Sequence, residues 1–111
     1  MNAALRIMRF YQHESCGWCI PCREGTLWLK KLLTRLDEGL GTGKDIDLVG
    51  NLAENMLGRT FCPLGDAAAL PTISIVKKFR GEFEAKIKKS VFSLAGADPL
   101  VQVGQKSAGA H

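Results

Sequence analysis

The sequence predicts an all-α fold, a small bundle of about four helices with one cysteine-rich loop. Apolar residues recur at spacings of three and four in several stretches, the period of a helix with one buried face. No stretch gives a strong signal for a strand. The chain has 111 residues, of which 46% are hydrophobic and 23% charged, so it has the size and composition of one small globular domain.

The first helix is predicted in the opening stretch, where Leu5, Met8 and Tyr11 fit an amphipathic pattern. A loop is predicted from His13 to Cys22, because a glycine and a proline interrupt regular structure there. These predictions place the three cysteines of the loop just ahead of the second helix.

The second helix is predicted for residues 23–38 and the third to follow Asp45 as its N-cap. Gly58 stands where a left-handed residue ends such a helix. The buried face of the second helix is predicted from its apolar stripe: Trp28, Leu29, Leu32, Leu33, Leu36 and Leu40. The buried face of the third helix is predicted from Leu48, Val49, Leu52, Met56 and Leu57.

A fourth helical stretch is predicted to open at Cys62-Pro63, because proline at the first helical position loses no hydrogen bond. Pro71 should kink this helix or end it early. An apolar face continues as far as Ile87, with helical ion pairs expected between Glu82 and Lys86 and between Glu84 and Lys88. We therefore expect a helical domain over residues 1–88 and a flexible tail over residues 89–111, which is rich in Gly, Ala, Ser and Gln.

The four cysteines predict a site for an inorganic cofactor. Cys16, Cys19 and Cys22 follow the spacing C-x2-C-x2-C, and Cys62 is followed by proline. A triple run of this kind supplies three thiolates of an iron–sulfur cubane, and a distant cysteine supplies the fourth. The pattern thus favours one 4Fe–4S cluster on these four residues and a role in electron transfer.

Two other uses of the cysteines compete with a cluster. A structural zinc site also takes four thiolates, although such sites usually show two separated pairs. A redox-active C-x2-C would need a βαβ context that the sequence lacks. The zinc module therefore stays open as the main alternative on the cysteine pattern alone.

Composition excludes several classes of partner. The formal net charge of +4 is modest and aromatic residues make up 7% of the chain, without the interleaving that a nucleic-acid surface requires. No apolar run approaches the roughly 20 residues of a membrane helix, and the start lacks the continuous apolar region of a secretory signal. We expect a soluble intracellular protein that neither binds nucleic acid nor inserts in a membrane.

Three runs of residues carry a resemblance to a known family: E-S-C-G-W-C-I-P-C-R-E-G at residues 14–25, F-C-P-L-G-D-A-A-A at residues 61–69, and F-R-G-E-F at residues 79–83. From about Leu5 to Ile87 the chain resembles the C-terminal iron–sulfur domain of the flavin- and NADH-binding subunit of NADH:quinone oxidoreductase, respiratory complex I. NAD-reducing hydrogenases and NAD-dependent formate dehydrogenases carry a similar domain and remain an alternative setting.

The resemblance implies a helical bundle with a 4Fe–4S cluster on Cys16, Cys19, Cys22 and Cys62. That cluster would take electrons from reduced FMN and pass them to a cluster in a neighbouring iron–sulfur subunit. The FMN and NADH sites of the family lie upstream of this domain, so we expect the chain to be a piece of a larger subunit, unable to oxidise NADH by itself. The family setting implies a cytoplasmic location, peripheral to the inner face of the membrane as part of a complex.

Overall fold

Helices account for nearly all of the regular structure. A computed structural model describes the backbone of residues 1–97 and the side chains of residues 1–89. Within this range the all-α prediction is confirmed, with five helices where about four were expected and no strand. The helices are α1 (Asn2–Glu14), α2 (Ile20–Asp37), α3 (Gly43–Met56), α4 (Leu64–Lys78) and α5 (Arg80–Ala97).

Helix α2 is the central element of the bundle. It packs against α1 and α3, and it also contacts α4 and α5. Its apolar stripe places Leu29, Leu33 and Leu36 in the core with no exposed surface, as the spacing predicted. Around them pack apolar side chains from the other four helices: Ala4, Leu5, Met8, Ile46, Val49, Ala53, Met56, Ala68, Ala69, Val76 and Phe83.

Two members of the predicted α2 stripe lie outside the core. Trp28 is 50% exposed and lines a surface groove with Leu48 and Leu52 of α3, so the prediction that it is a core residue was wrong. Leu40 is 57% exposed because α2 ends at Asp37 and the chain turns at Gly39 with a φ of +78°. Spacing alone finds an apolar face but does not tell which edge of it the neighbouring helices cover.

The helix starts differ from their predicted positions by a few residues. Helix α2 begins at Ile20, with Cys19 as its N-cap, because Pro21 fits its first turn rather than interrupting it. The N-cap of α3 is Thr42, whose backbone N–H donates to the Asp45 carboxylate at 2.8 Å, so the prediction of Asp45 as the N-cap was wrong. Asp45 instead takes the third helical position of a capping box.

The ends of α3 and α4 give one confirmed prediction and one correction. Gly58 follows α3 with a φ of +72°, the left-handed conformation that glycine adopts without steric cost. Pro71 lies inside α4, so it does not end the helix early, which was one of the two predicted effects: Ala68 and Val76, buried on either side of it, keep both halves of the helix packed. The chain breaks later, at Phe79, with a φ of −116° and a ψ of 25°.

Helix α5 is tied to the bundle by charged side chains as well as by Phe83. Arg80 Nη1 donates to Asp47 Oδ1 of α3 at 2.6 Å, and Lys86 pairs with Asp37 at the end of α2 instead of with Glu82. Because α5 extends to Ala97, it overlaps the predicted tail over residues 89–111. Residues 98–111 lie outside the described range, and the division into domain and tail stays a prediction.

The lengths and compositions of the helices bear on membrane insertion. Over the described part of the chain, no helix combines the length and the apolar character that crossing a bilayer requires.

The leucine core predicts a large cost for truncating α2. We expect Leu33→Ala to lower the free energy of unfolding by about 2–5 kcal/mol, because it leaves a cavity at a fully buried position. Leu40→Ala, at an exposed position, should change it by no more than about 0.5 kcal/mol. Urea unfolding of both variants under identical reducing conditions measures the difference, and equal midpoints would contradict this account of the core.

The Arg80–Asp47 pair predicts a pH effect. The hydrogen bond from Arg80 and its positive charge lower the pKa of Asp47 below its ordinary value. The pair therefore stabilises the fold above the unfolded-state pKa of about 3.9, and this contribution disappears as the pH falls through the lower folded-state value.

Arg80→Gln should raise the pKa of Asp47 toward that ordinary value and lower the stability at neutral pH but not at the most acidic pH. NMR titration of the Asp47 carboxyl group measures the change in pKa. Unfolding at neutral pH and at the most acidic pH measures the change in stability. Arg59→Gln serves as the control, and an unchanged Asp47 pKa in Arg80→Gln would contradict the assignment.

Candidate metal centre

Cys22 is the buried member of the cysteine group. It lies in the first turn of α2 with 5% of its surface exposed, and its Sγ is 3.2 Å from Ser15 Oγ. Burial raises the pKa of the Cys22 thiol, and the charges of Cys19, Cys62 and Cys16 raise it further, while the hydrogen bond with Ser15 acts in the opposite direction. All three other cysteines are thus near enough to Cys22 for their charges to act on it.

Cys16 and Cys19 lie in the short loop between α1 and α2. Cys16 is exposed and Cys19 is half-buried. The backbone carbonyl of Cys19, the N-cap of α2, accepts the N–H of Arg23 at 3.0 Å. Cys19 and Cys22 are therefore three residues apart at the N-terminus of one helix, and their side chains come from the same turn.

Cys62 comes from a different part of the chain, just ahead of α4. Thr60 Oγ1 donates to the Cys62 carbonyl at 2.9 Å and so shapes the turn that presents the thiol. A methyl group on Gly65 would clash with the side chain of Thr60, which means that glycine is needed for the turn to pack on α4. The fold thus brings the fourth cysteine into the neighbourhood of Cys22.

The electrostatic setting suits a negatively charged group. The N-termini of α2 and α4 carry or directly follow three of the cysteines, and helix N-termini present free N–H groups and a partial positive charge. Arg23 adds a full positive charge in the first turns of α2. Several thiolates repel one another, so such positive partners are what their assembly requires.

Three hydrogen bonds stabilise the loop from Ser15 to Cys19. The Arg23 Nη1 donates to the Gly17 carbonyl at 3.2 Å, and the Gly17 N–H donates to Ser15 Oγ at 3.4 Å. Ser15 in turn contacts Cys22. Gly17 has a φ of +75°, so this loop depends on a residue without a Cβ.

The chemistry of the donor set fits an iron–sulfur cluster. All four thiols are free of disulfides. In a cubane each thiolate binds a different iron, so the four sulfurs surround an inorganic core instead of meeting at one ion. Among the side chains that the structure describes, no three His, Cys, Asp or Glu residues are grouped closely enough to hold a single metal ion.

Other side chains near the cysteines lie largely at the surface. Arg23 donates a hydrogen bond to Glu24. His13 is exposed and contacts Glu14. Trp18, which lies between two cysteines in the sequence, is 80% exposed and covers little of its own domain.

Ser15 and Thr60 contact the cysteines, and the sequence pattern does not single them out. Ser15 touches a cysteine sulfur, and Thr60 sets the turn that carries Cys62. A small hydroxyl residue directly before the first cysteine of a tight loop is a weak signal, because serine is common in turns for other reasons. Only the folded geometry separates these roles.

A family model for the "NADH-ubiquinone oxidoreductase-F iron-sulfur binding region" matches residues 2–86 of the chain. This range includes all four cysteines and the first four helices, together with the start of α5. The match therefore covers both the candidate centre and most of the bundle that supports it.

Several curated proteins are similar to most of the chain. The NADH-quinone oxidoreductase F subunit of Mycobacterium bovis is 48% identical over 88 residues, which are 79% of this chain and 20% of that protein. The corresponding protein of Streptomyces coelicolor is 48% identical over 87 residues, 78% of this chain and 19% of that protein. The mitochondrial NADH-ubiquinone oxidoreductase 51 kDa subunit of Neurospora crassa is 42% identical over 89 residues, 80% of this chain and 18% of that protein. The chain spans about a fifth of the length of these relatives.

The left-handed glycine of the cysteine loop predicts an asymmetric response to added methyl groups. Gly17→Ala should lower the free energy of unfolding by about 1–2 kcal/mol, because alanine is strained at positive φ. Gly43→Ala is the control, since its added methyl meets no atom within 4 Å. Chemical unfolding with reduced thiols measures both variants, and a Gly17→Ala protein as stable as the control would show that the loop does not hold this conformation.

Proposed function

Because the chain belongs to the family of the NADH-ubiquinone oxidoreductase-F iron–sulfur binding region, we propose that it transfers electrons through one bound 4Fe–4S cluster. The ligands in this proposal are Cys16, Cys19, Cys22 and Cys62. The observation that carries it is that the matched region contains both the C-x2-C-x2-C run and Cys62, since a fourth thiol from a separate turn is what a cluster needs beyond the triple run.

The residues of the site have three tasks in this proposal. The thiolates hold the cluster, which supplies one-electron redox chemistry when it is bound. The N-termini of α2 and α4, together with Arg23, offset the negative charge that the thiolates bring. Burial of Cys22 keeps one side of the site away from water, and solvent exposure is one of the factors that set a cluster's potential.

The wider activity follows from the relatives, of which the chain spans about a fifth. We propose that electrons reach this domain from reduced FMN on an upstream region of the same subunit and leave toward a neighbouring iron–sulfur subunit of an NADH-quinone oxidoreductase. In this proposal the domain works at the inner face of the membrane, in the peripheral part of the complex. The names of the relatives favour this setting over a hydrogenase or a formate dehydrogenase.

Exposed apolar side chains beside the cysteines support a partner at this end of the bundle. Trp18 is 80% exposed, Ile20 65% and Phe61 88%, and each is a direct neighbour of a proposed ligand in the sequence. Large apolar side chains grouped at one place on a surface mark protein contacts more often than they mark free surface. We propose that the FMN-carrying part of the subunit covers this rim, which would also limit the access of water to the cluster.

The cluster proposal predicts a specific effect of removing the fourth thiol. Anaerobic reconstitution of the chain should load iron and inorganic sulfide in equal amounts, and reduction with dithionite should give the electron paramagnetic resonance signal of one cubane per chain. Cys62→Ser should lose most of this signal and bind substoichiometric iron and sulfide, because a thiolate ligand is missing. Phe61→Ser, at an exposed position next to Cys62, should load like the unchanged chain.

Two outcomes would contradict the proposal. One is equal loading of Cys62→Ser and the unchanged chain with iron and sulfide. The other is zinc without sulfide in protein purified and kept under anaerobic conditions, which would support the structural zinc module instead. Purification in air does not distinguish the two, because oxygen destroys clusters and frees the thiols for zinc.

A further inference from the structure

Ser15 is the one side chain outside the four cysteines that contacts a cysteine sulfur among the hydrogen bonds of the described residues. Its Oγ lies 3.2 Å from Cys22 Sγ, a close approach for a hydrogen bond to the large sulfur atom. Once Cys22 is a thiolate ligand its sulfur carries no proton, so only the hydroxyl can donate. The direction of this hydrogen bond is therefore fixed by the chemistry of the ligand.

The rest of the loop orients the hydroxyl for that donation. The Gly17 N–H donates to Ser15 Oγ at 3.4 Å, which uses a lone pair of the oxygen and leaves its single proton for another acceptor. On the other side of the Gly17 Cα, Arg23 Nη1 donates to the Gly17 carbonyl at 3.2 Å, and this bond restrains the loop. The Ser15 hydroxyl is therefore held with its proton available to Cys22 Sγ.

We infer that Ser15 is a positioning residue that raises the reduction potential of the bound cluster by donating a hydrogen bond to the Cys22 thiolate. Hydrogen bonds to the sulfurs are a recognised means of tuning clusters. Reduction adds one electron and therefore one negative charge, and a donor to a ligand sulfur stabilises the more negative state. No covalent bond forms or breaks, and the proton stays on Ser15 Oγ in both states.

This inference rests on the proposed function, and its test separates the two. The reconstituted chain and its variants are titrated anaerobically with dithionite in the presence of redox mediators, and the paramagnetic signal is followed against potential. Iron, sulfide and the signal of the unchanged chain test the cluster itself. The midpoint potential tests the effect of the Ser15 hydroxyl on the cluster.

Ser15→Ala should lower the equilibrium constant for reduction about tenfold, which is a fall of about 59 mV for a one-electron couple. Ser15→Thr keeps the hydroxyl and should restore most of the potential. Ser74→Ala removes an exposed hydroxyl on α4 and should leave the potential unchanged. A purely structural role for Ser15 would alter cluster loading or stability without this dependence on the hydroxyl.

Each other outcome overturns the inference. A Ser15→Ala potential equal to that of the unchanged chain does so, as do equal falls in Ser15→Ala and Ser15→Thr. If Ser15→Ala does not load, Ser15→Val is compared with Ser15→Thr, because these two have the same shape and differ in the hydroxyl. Equal potentials in that pair, or a failure of both Ala and Val to load, would show that the hydroxyl does not set the potential. If the unchanged chain takes up no cluster, that result contradicts the proposed function as well.

Discussion

The placement of four cysteines at or near the N-termini of two helices is the constraint on which the proposed site depends. Four thiols lie near one another, and the charges of three of them raise the pKa of Cys22. Assembly of such a group is unfavourable unless positive partners lie beside it. The N-termini of α2 and α4 provide partial positive charge there, so the packing that brings these two helix ends together is also what makes the centre electrostatically possible.

Helix α2 connects this charged end to the source of the fold's stability. Its first turn carries Cys22, and its later turns carry Leu29, Leu33 and Leu36 in the fully buried core. Thr26, which is also fully buried, donates to the Cys22 carbonyl at 2.6 Å and satisfies its own hydroxyl within the helix. A helix anchored by leucines thus fixes the position of Cys22, one of the proposed ligands.

Much of this arrangement could be predicted from the sequence because the signals are local. Cysteine spacing, leucine periodicity and the left-handed glycine at position 58 each depend on a few neighbouring residues. The exposure of Trp28 could not be predicted, because periodicity marks an apolar face without telling whether a helix of the same chain covers it. Pro71 shows the same limit, since tertiary packing holds α4 through a residue that breaks isolated helices.

The centre itself was predictable as a set of cysteines but not as a hydrogen-bonded site. Ser15 contacts Cys22 across a loop in which Gly17 adopts a left-handed conformation. A backbone φ of this kind depends on the whole loop, including the hydrogen bond from Arg23 to the Gly17 carbonyl.

The cysteines differ in solvent exposure, so the site has a buried side and an exposed side. Cys22 is buried, whereas Cys16 and Cys62 are exposed, so one side of the group faces the bundle and the other faces outward. A centre buried on all sides would be well protected but distant from any electron donor or acceptor. A fully exposed one would leave its potential to the solvent. In the proposed assembly the outward side meets the partner, and the apolar rim of Trp18 and Phe61 then excludes water only once that partner is in place.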